Sequence, residues 1–187
     1  METVSTSRAT RVLRRWPTAA GVALAVLTVF DLSSGAALAP VLAASALVYL
    51  GAAAVQRRWA AWPVFFGTFV VITVVKVTAV DIDPTWIFLG AAFLITVGGL
   101  VYGGVRPAQG LSLQVLAMAV FGAAAAIALS VDPRVGGYLV AAGLLGHAAW
   151  DVHHHRSGRT VTRSLAEFCF VLDILLAVAV VVVTALS

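Results

Sequence analysis

Apolar residues run through this chain in long stretches, each ended by a short polar or turn-forming break. The stretches fall at 17–33, 37–55, 60–80, 84–104, 111–131, 135–153 and 165–186. Their lengths match the roughly 17–25 residues that a helix uses to cross the hydrocarbon layer of a bilayer. The breaks carry turn or charge signals: Ser33-Ser34-Gly35, Gln56-Arg57-Arg58, Asp81-Ile82-Asp83-Pro84, Arg106-Pro107, Asp132-Pro133-Arg134, and the segment from Arg156 to Ser164. Proline at such a break stands where a new helix can begin or the old one must stop. The pattern predicts an all-α polytopic membrane protein, a bundle of seven transmembrane helices.

Composition agrees. Of 187 residues, 61% are apolar and only 11% are charged, against roughly 25% charged in a soluble domain. That is too little charge to cover a water-facing surface of this size. Seven spans use nearly the whole chain, so the expected organisation is a basic N-terminal tail over residues 1–16 and one transmembrane domain over 17–187.

Loop charges then orient the bundle. Arg8, Arg11, Arg14 and Arg15 precede the first span, Arg57 and Arg58 follow the second, Arg106 follows the fourth, and Arg156, Arg159 and Arg163 follow the sixth. The opposite loops hold Asp31, Asp81, Asp83 and Asp132, with Arg134 as their one cation. Lys and Arg in short loops mark the cytoplasmic side. Ten arginines against one therefore predict an N-terminus inside, a C-terminus outside, and location in the cell membrane. Trp16, Trp59, Trp62 and Trp150 near the inner boundary and Trp86 near the outer one fit the headgroup preference of amphipathic rings. Gly99 with Gly103 and Ala142 with Gly146 form small-xxx-small pairs that allow helices to approach closely.

The first forty residues have a second reading. Arginines 8–15, the apolar run Ala19–Phe30 and Ala37-Leu38-Ala39 resemble a secretory signal with its cleavage site. The sequence after Ala39 enters another apolar span with no polar start, so retention of the first helix is the expectation. The pI near 10 reflects loop arginines rather than a continuous basic face, which argues against nucleic acid as a partner. The lone Cys169 excludes an internal disulfide framework and a cysteine-rich metal cluster.

Ionisable residues inside a membrane are costly, and each is a functional hypothesis by default. All four histidines fall within the nine residues His147 to His155, at the end of the sixth span. At about 100° per residue, His147, Asp151 and His154 lie within ~60° of one another on a helix, His155 sits at the edge, and His153 points away. Imidazole and carboxylate at this spacing let one helix offer several ligands to a divalent metal such as Zn or Fe.

The seventh span adds Glu167, Cys169 and Asp173. His147 lies nine residues before Arg156 and Asp173 nine residues after Ser164. At 1.5 Å per residue both sit ~13 Å from the inner boundary, so Asp173 is placed to ligate the same metal or to orient His147. The candidate catalytic residues are thus His147, Asp151 and Asp173. The candidate metal ligands are these three and His154. Without a metal, Asp173 and His147 would form a buried acid–base pair, or a polar pair that serves packing alone.

Two further groups are weaker. Lys76, near Asp31, Asp81 and Asp83, reads as an interfacial cation that snorkels outward to pair. Arg159 and Arg163 are expected to meet anionic lipid headgroups; as substrate-binding residues they would hold a phosphate or carboxylate.

The segment Asp151-Val152-His153-His154-His155 resembles one histidine box of the membrane fatty-acid desaturase and hydroxylase superfamily. The chain has no histidine elsewhere for the further boxes, which excludes that superfamily's multi-histidine di-iron site. Alkaline-ceramidase-type hydrolases also combine His, Asp and Ser in a seven-helix bundle, but their SxxxH and HxxxH elements are missing. Three functions fit the residues. The first is a membrane enzyme acting on a lipid or isoprenoid-like substrate from the inner leaflet, with membrane lipids and a hydrophobic small molecule as its partners. The second is a small metal- or proton-coupled transporter, and the third a non-catalytic membrane subunit. No inverted repeat supports the second.

Overall fold

Helices account for all the regular structure in the computed structural model, which describes residues 15–103 and 110–187, with the backbone alone at 102 and 103. Among these residues there are seven α-helices and no strand. In chain order they are α1 (Trp16–Val29), α2 (Ala39–Val55), α3 (Ala61–Thr78), α4 (Pro84–Gly98), α5 (Leu111–Ala128), α6 (Pro133–Ser157) and α7 (Arg163–Leu186). Arg8, Arg11, Arg14, Arg106 and Pro107 lie outside the described residues.

Local chemistry explains the boundaries. Pro84 and Pro133 occupy the first turns of α4 and α6, where a missing N–H costs nothing. The aspartates before them are helix caps. Asp83 accepts from the Thr85 N–H at 2.8 Å, and Asp132 from the Arg134 N–H at 2.9 Å. α6 runs four residues beyond its predicted end at 153, so His153 to His155 are helical. Nothing stops it before Gly158, whose φ of 59° supplies the left-handed C-terminal cap.

Two other predicted spans are corrected at their ends. The span expected at 17–33 gives a helix only to Val29; Ser34 is extended, and Gly35–Leu38 forms a 3₁₀ turn leading into α2. Ser33 and Ser34 can compete for local backbone bonds and Gly35 is a poor helix former, which together favour this break. The span expected at 84–104 leaves α-geometry after Gly98 and continues as a π-helical turn, Gly99–Gly103.

Five helical segments are long and apolar enough to cross a membrane: Gly35–Val55, Arg58–Thr78, Pro84–Val101, Leu111–Ala128 and Arg163–Leu186. α1, at 14 residues, is short for the task. α6 has the length, but its His- and Asp-bearing half lowers its apolarity. The outer faces of α3 and α4 are apolar and exposed, with Phe66, Phe69, Val70, Val74 and Val77 on one and Phe93, Leu94 and Val97 on the other. An apolar surface of that extent suits hydrocarbon and not water.

α2 is the buried centre. It packs against α3, α4, α5 and α6, and its residues from Leu42 to Ala53 are buried throughout. α6 and α7 form the most extensive pair, and α1 lies against α7. Gly21 makes that approach possible: a Cβ there would stand 2.8 Å from the Phe168 carbonyl oxygen and 3.2 Å from Val171. At one end of the bundle an Arg58 N–H donates to the Gly158 carbonyl at 3.0 Å, and the Trp62 indole to the Ser164 hydroxyl at 3.3 Å, tying the α2–α3 and α6–α7 loops together. At the other end Lys76 pairs with Asp31, and both remain largely exposed. This is the ion pairing expected of Lys76, with Asp31 as the partner it takes.

Candidate functional site

The polar residues of α6 and α7 meet between these helices and α2. α6 presents His147 and, one turn later, Asp151 to the same side; α7 presents Asp173. All three side chains are fully buried. The His147 Nδ1 lies 2.8 Å from Asp173 Oδ2 and 3.6 Å from Asp151 Oδ2. In the hydrogen-bonded arrangement Nδ1–H donates to Asp173 and the carboxylate accepts. Tyr49, from the centre of α2, donates its hydroxyl proton to Asp151 Oδ1. The imidazole is held edge-on by Tyr49 and by Phe121 of α5, each with its ring centroid 5.2 Å away.

Each member of the group keeps one polar atom unpaired: His147 Nε2, Asp151 Oδ2 and Asp173 Oδ1. Buried polar atoms without partners are expensive, and three in one cluster need an explanation. One ligand atom from each residue can be chosen so that all lie within 4.8 Å of one another. Around a tetrahedral zinc with bonds near 2.0–2.1 Å, neighbouring ligand atoms stand roughly 3.3 Å apart. The 2.8 and 3.6 Å separations from His147 Nδ1 bracket that value, so a metal would replace the Nδ1 proton and take Nδ1, not the unpaired Nε2, as its nitrogen ligand. Charge is compatible with this where both carboxylates are ionised, because burial away from water then calls for two compensating positive charges. A divalent cation with a neutral imidazole supplies them. The group could hold a metal ion.

His154 does not join it. It lies on the expected face, but both ring nitrogens have other partners. Nδ1–H donates to the Trp150 carbonyl at 3.0 Å, and Nε2 then accepts from the Gln114 amide at 3.0 Å. The Trp150 indole closes this second network by donating to Gln114 Oε1 at 3.3 Å. The physical reason is depth: His154 lies one turn beyond Asp151, where it meets α5 and not α7. His153 and His155 are exposed. Glu167 accepts from the Thr18 hydroxyl at 2.5 Å and pairs with Arg15 at 3.6 Å, and is not one of the three clustered residues. Cys169 is buried and lines a separate apolar cavity with Ser45, Thr68 and Leu172.

Of the two arginines expected to bind substrate, Arg163 lines a cavity of about 580 Å³ with Arg58 and Trp59, which includes none of the three clustered residues. Arg159 is exposed in the α6–α7 loop. The cavity that does reach the group, about 220 Å³, has Asp151 in its wall and Arg15 and Arg156 as its cations.

Sequence reasoning missed Tyr49 and Gln114. Each had a signal. Tyr49 is the one phenol in an Ala-, Leu- and Val-rich span, seven residues before Gln56, hence ~10 Å from the inner boundary and near the depth of His147. Gln114 is an amide inside an apolar span and by that fact a candidate. No family model, curated protein or solved structure matches the chain, so the geometry of this group alone carries the functional reading.

Proposed function

We propose that this protein is a membrane enzyme of the cell membrane in which His147, Asp151 and Asp173 form one metal-binding catalytic group. The observation that carries the reading is the convergence of three fully buried ligand residues, each with an unpaired polar atom. Tyr49 orients Asp151 as ligand partners do in metal sites. The cation class is divalent, Zn or Fe by the donor set of one imidazole and two carboxylates. Bound there, it would polarise a substrate oxygen or activate water.

The reading includes a seven-span topology with the N-terminus inside and the C-terminus outside. It is supported by the loop arginines and by the Arg58–Gly158 bond, which gathers the basic loops at one end. With that end inside, the group would lie toward the inner leaflet. A lipid or isoprenoid-like substrate fits a site reached from there, and the exposed apolar faces of α3 and α4 bring the protein into contact with membrane lipids.

Elemental analysis of the purified protein tests the reading. A divalent metal near one per chain is expected in the wild type, and a severe loss in Asp173→Asn, a substitution that keeps shape and removes charge. A folded wild type that binds no divalent metal on reconstitution would refute it.

A further inference from the structure

Beside the clustered residues lies the cavity of about 220 Å³ between the start of α1, the end of α6 and the first turns of α7. Asp151 is the residue that the cavity and the cluster share. Its polar wall holds Arg15, Arg156, His155 and Glu167, and Phe170 stands on its apolar side. The Glu167 charge is already answered by Arg15 and the Thr18 hydroxyl. No described carboxylate pairs with Arg156. The lining thus holds two arginines and two carboxylates, with Arg156 the cation that no described carboxylate answers, and an apolar flank that reaches the outside of the bundle at Phe170.

Carboxylates alone would repel an anion entering this space. A divalent cation on the cluster reverses that, because such cations are commonly held by one or two carboxylates together with substrate phosphate oxygens. Arginine forks match the remaining phosphate oxygens. We infer that this cavity binds the phosphate group of a phosphate ester, clamped by Arg15 and Arg156 and facing the cation on the Asp151 side. The assignment rests on the metal reading above and adds the substrate class to it. A phosphate ester with an apolar tail would place its tail along Phe170.

The test is equilibrium binding to purified wild-type protein in detergent micelles. Two probes separate the sources of phosphate: a short-chain fluorescent phosphatidic acid for the lipid and glycerol 3-phosphate for the soluble ester. Arg156→Gln should weaken the probe that binds by about tenfold, as the loss of one charge-assisted contact predicts. Arg15→Gln should weaken it similarly. Arg159→Gln removes the same charge from a residue outside the cavity and should leave binding unchanged. Both Arg156 and Arg159 are exposed, so these variants should elute as the wild type does on gel filtration. Competition by glycerol 3-phosphate would assign a soluble ester, and binding of phosphatidic acid alone a lipid one. Absence of binding by either probe, or equal weakening by Arg156→Gln and Arg159→Gln, would overturn the inference in favour of diffuse surface attraction. Metal content measured on the same samples separates the two readings. Metal without arginine-dependent binding removes only the phosphate site. Arginine-dependent binding without metal removes only the cation.

Discussion

His147 of α6 and Asp173 of α7 meet at 2.8 Å, and neither side chain has any contact with solvent. The two helices are joined by a loop of only five residues, 158–162, so they run antiparallel and hold both groups at one level. Asp173 has its second oxygen unpaired, and His147 its second nitrogen. A metal bound through His147 Nδ1 would replace the proton shared with Asp173, and the carboxylate oxygens left free in the pair could then serve as ligands. Four substitution or topology experiments follow from this arrangement.

His147→Ala leaves Asp151 and Asp173 as two buried carboxylates with no cationic or donor ring between them. Removing one partner from such a group costs roughly 3–5 kcal/mol. Thermal unfolding in detergent should show a large drop in midpoint for His147→Ala. His153→Ala, at an exposed position on the other face, should be neutral in both unfolding and metal content.

Tyr49→Phe deletes one hydroxyl and keeps the ring that packs on His147 and His154. Asp151 then loses its donor. A stability loss of about 1–3 kcal/mol is expected for the uncompensated buried acceptor. Metal affinity should also fall, by about 10- to 100-fold as for other orienting partners. Unchanged affinity by competitive chelator titration would show that Tyr49 serves packing only.

Gln114→Leu separates the two networks. It strips the amide from between His154 and Trp150, at a cost of about 1–3 kcal/mol for the groups left unpaired. It removes no hydrogen bond to a member of the His147 cluster. Stability should fall while metal content stays at the wild-type level. Parallel loss of both would return His154 to the ligand set.

Topology is tested by reporters. One fused after Ser187 should report from the outside, and one inserted between Arg156 and Ser164 from the inside, as the arginine bias predicts. A cytoplasmic C-terminus would break the seven-span arrangement and leave an even number of crossings.

The level match between His147 and Asp173 was legible from the chain alone, because it needs only the rise of a helix and a short connecting loop. The all-helical class and the helix order were legible for a similar reason. Hydrocarbon demands continuous apolar stretches with their backbone bonds satisfied internally, and that demand is written one residue after another. Asp83 and Asp132, read there as markers of the acidic side, also act as caps, which the adjoining prolines already hint at.

Tertiary packing alone decided the rest. A helical wheel puts His147, Asp151 and His154 on one face but does not say which neighbour each turn of that face will meet. The first two meet α7 and the Tyr49 hydroxyl of α2; the third meets Gln114 of α5. Tyr49 and Gln114 come from helices distant in sequence, and their partners depend on how α2 is enclosed, which uniformly apolar spans do not encode in their periodicity. The same holds for Arg15 and Arg156. Loop arginines look alike along the chain, and only the approach of α1 to α7, permitted by Gly21, sets these two around the cavity that reaches Asp151.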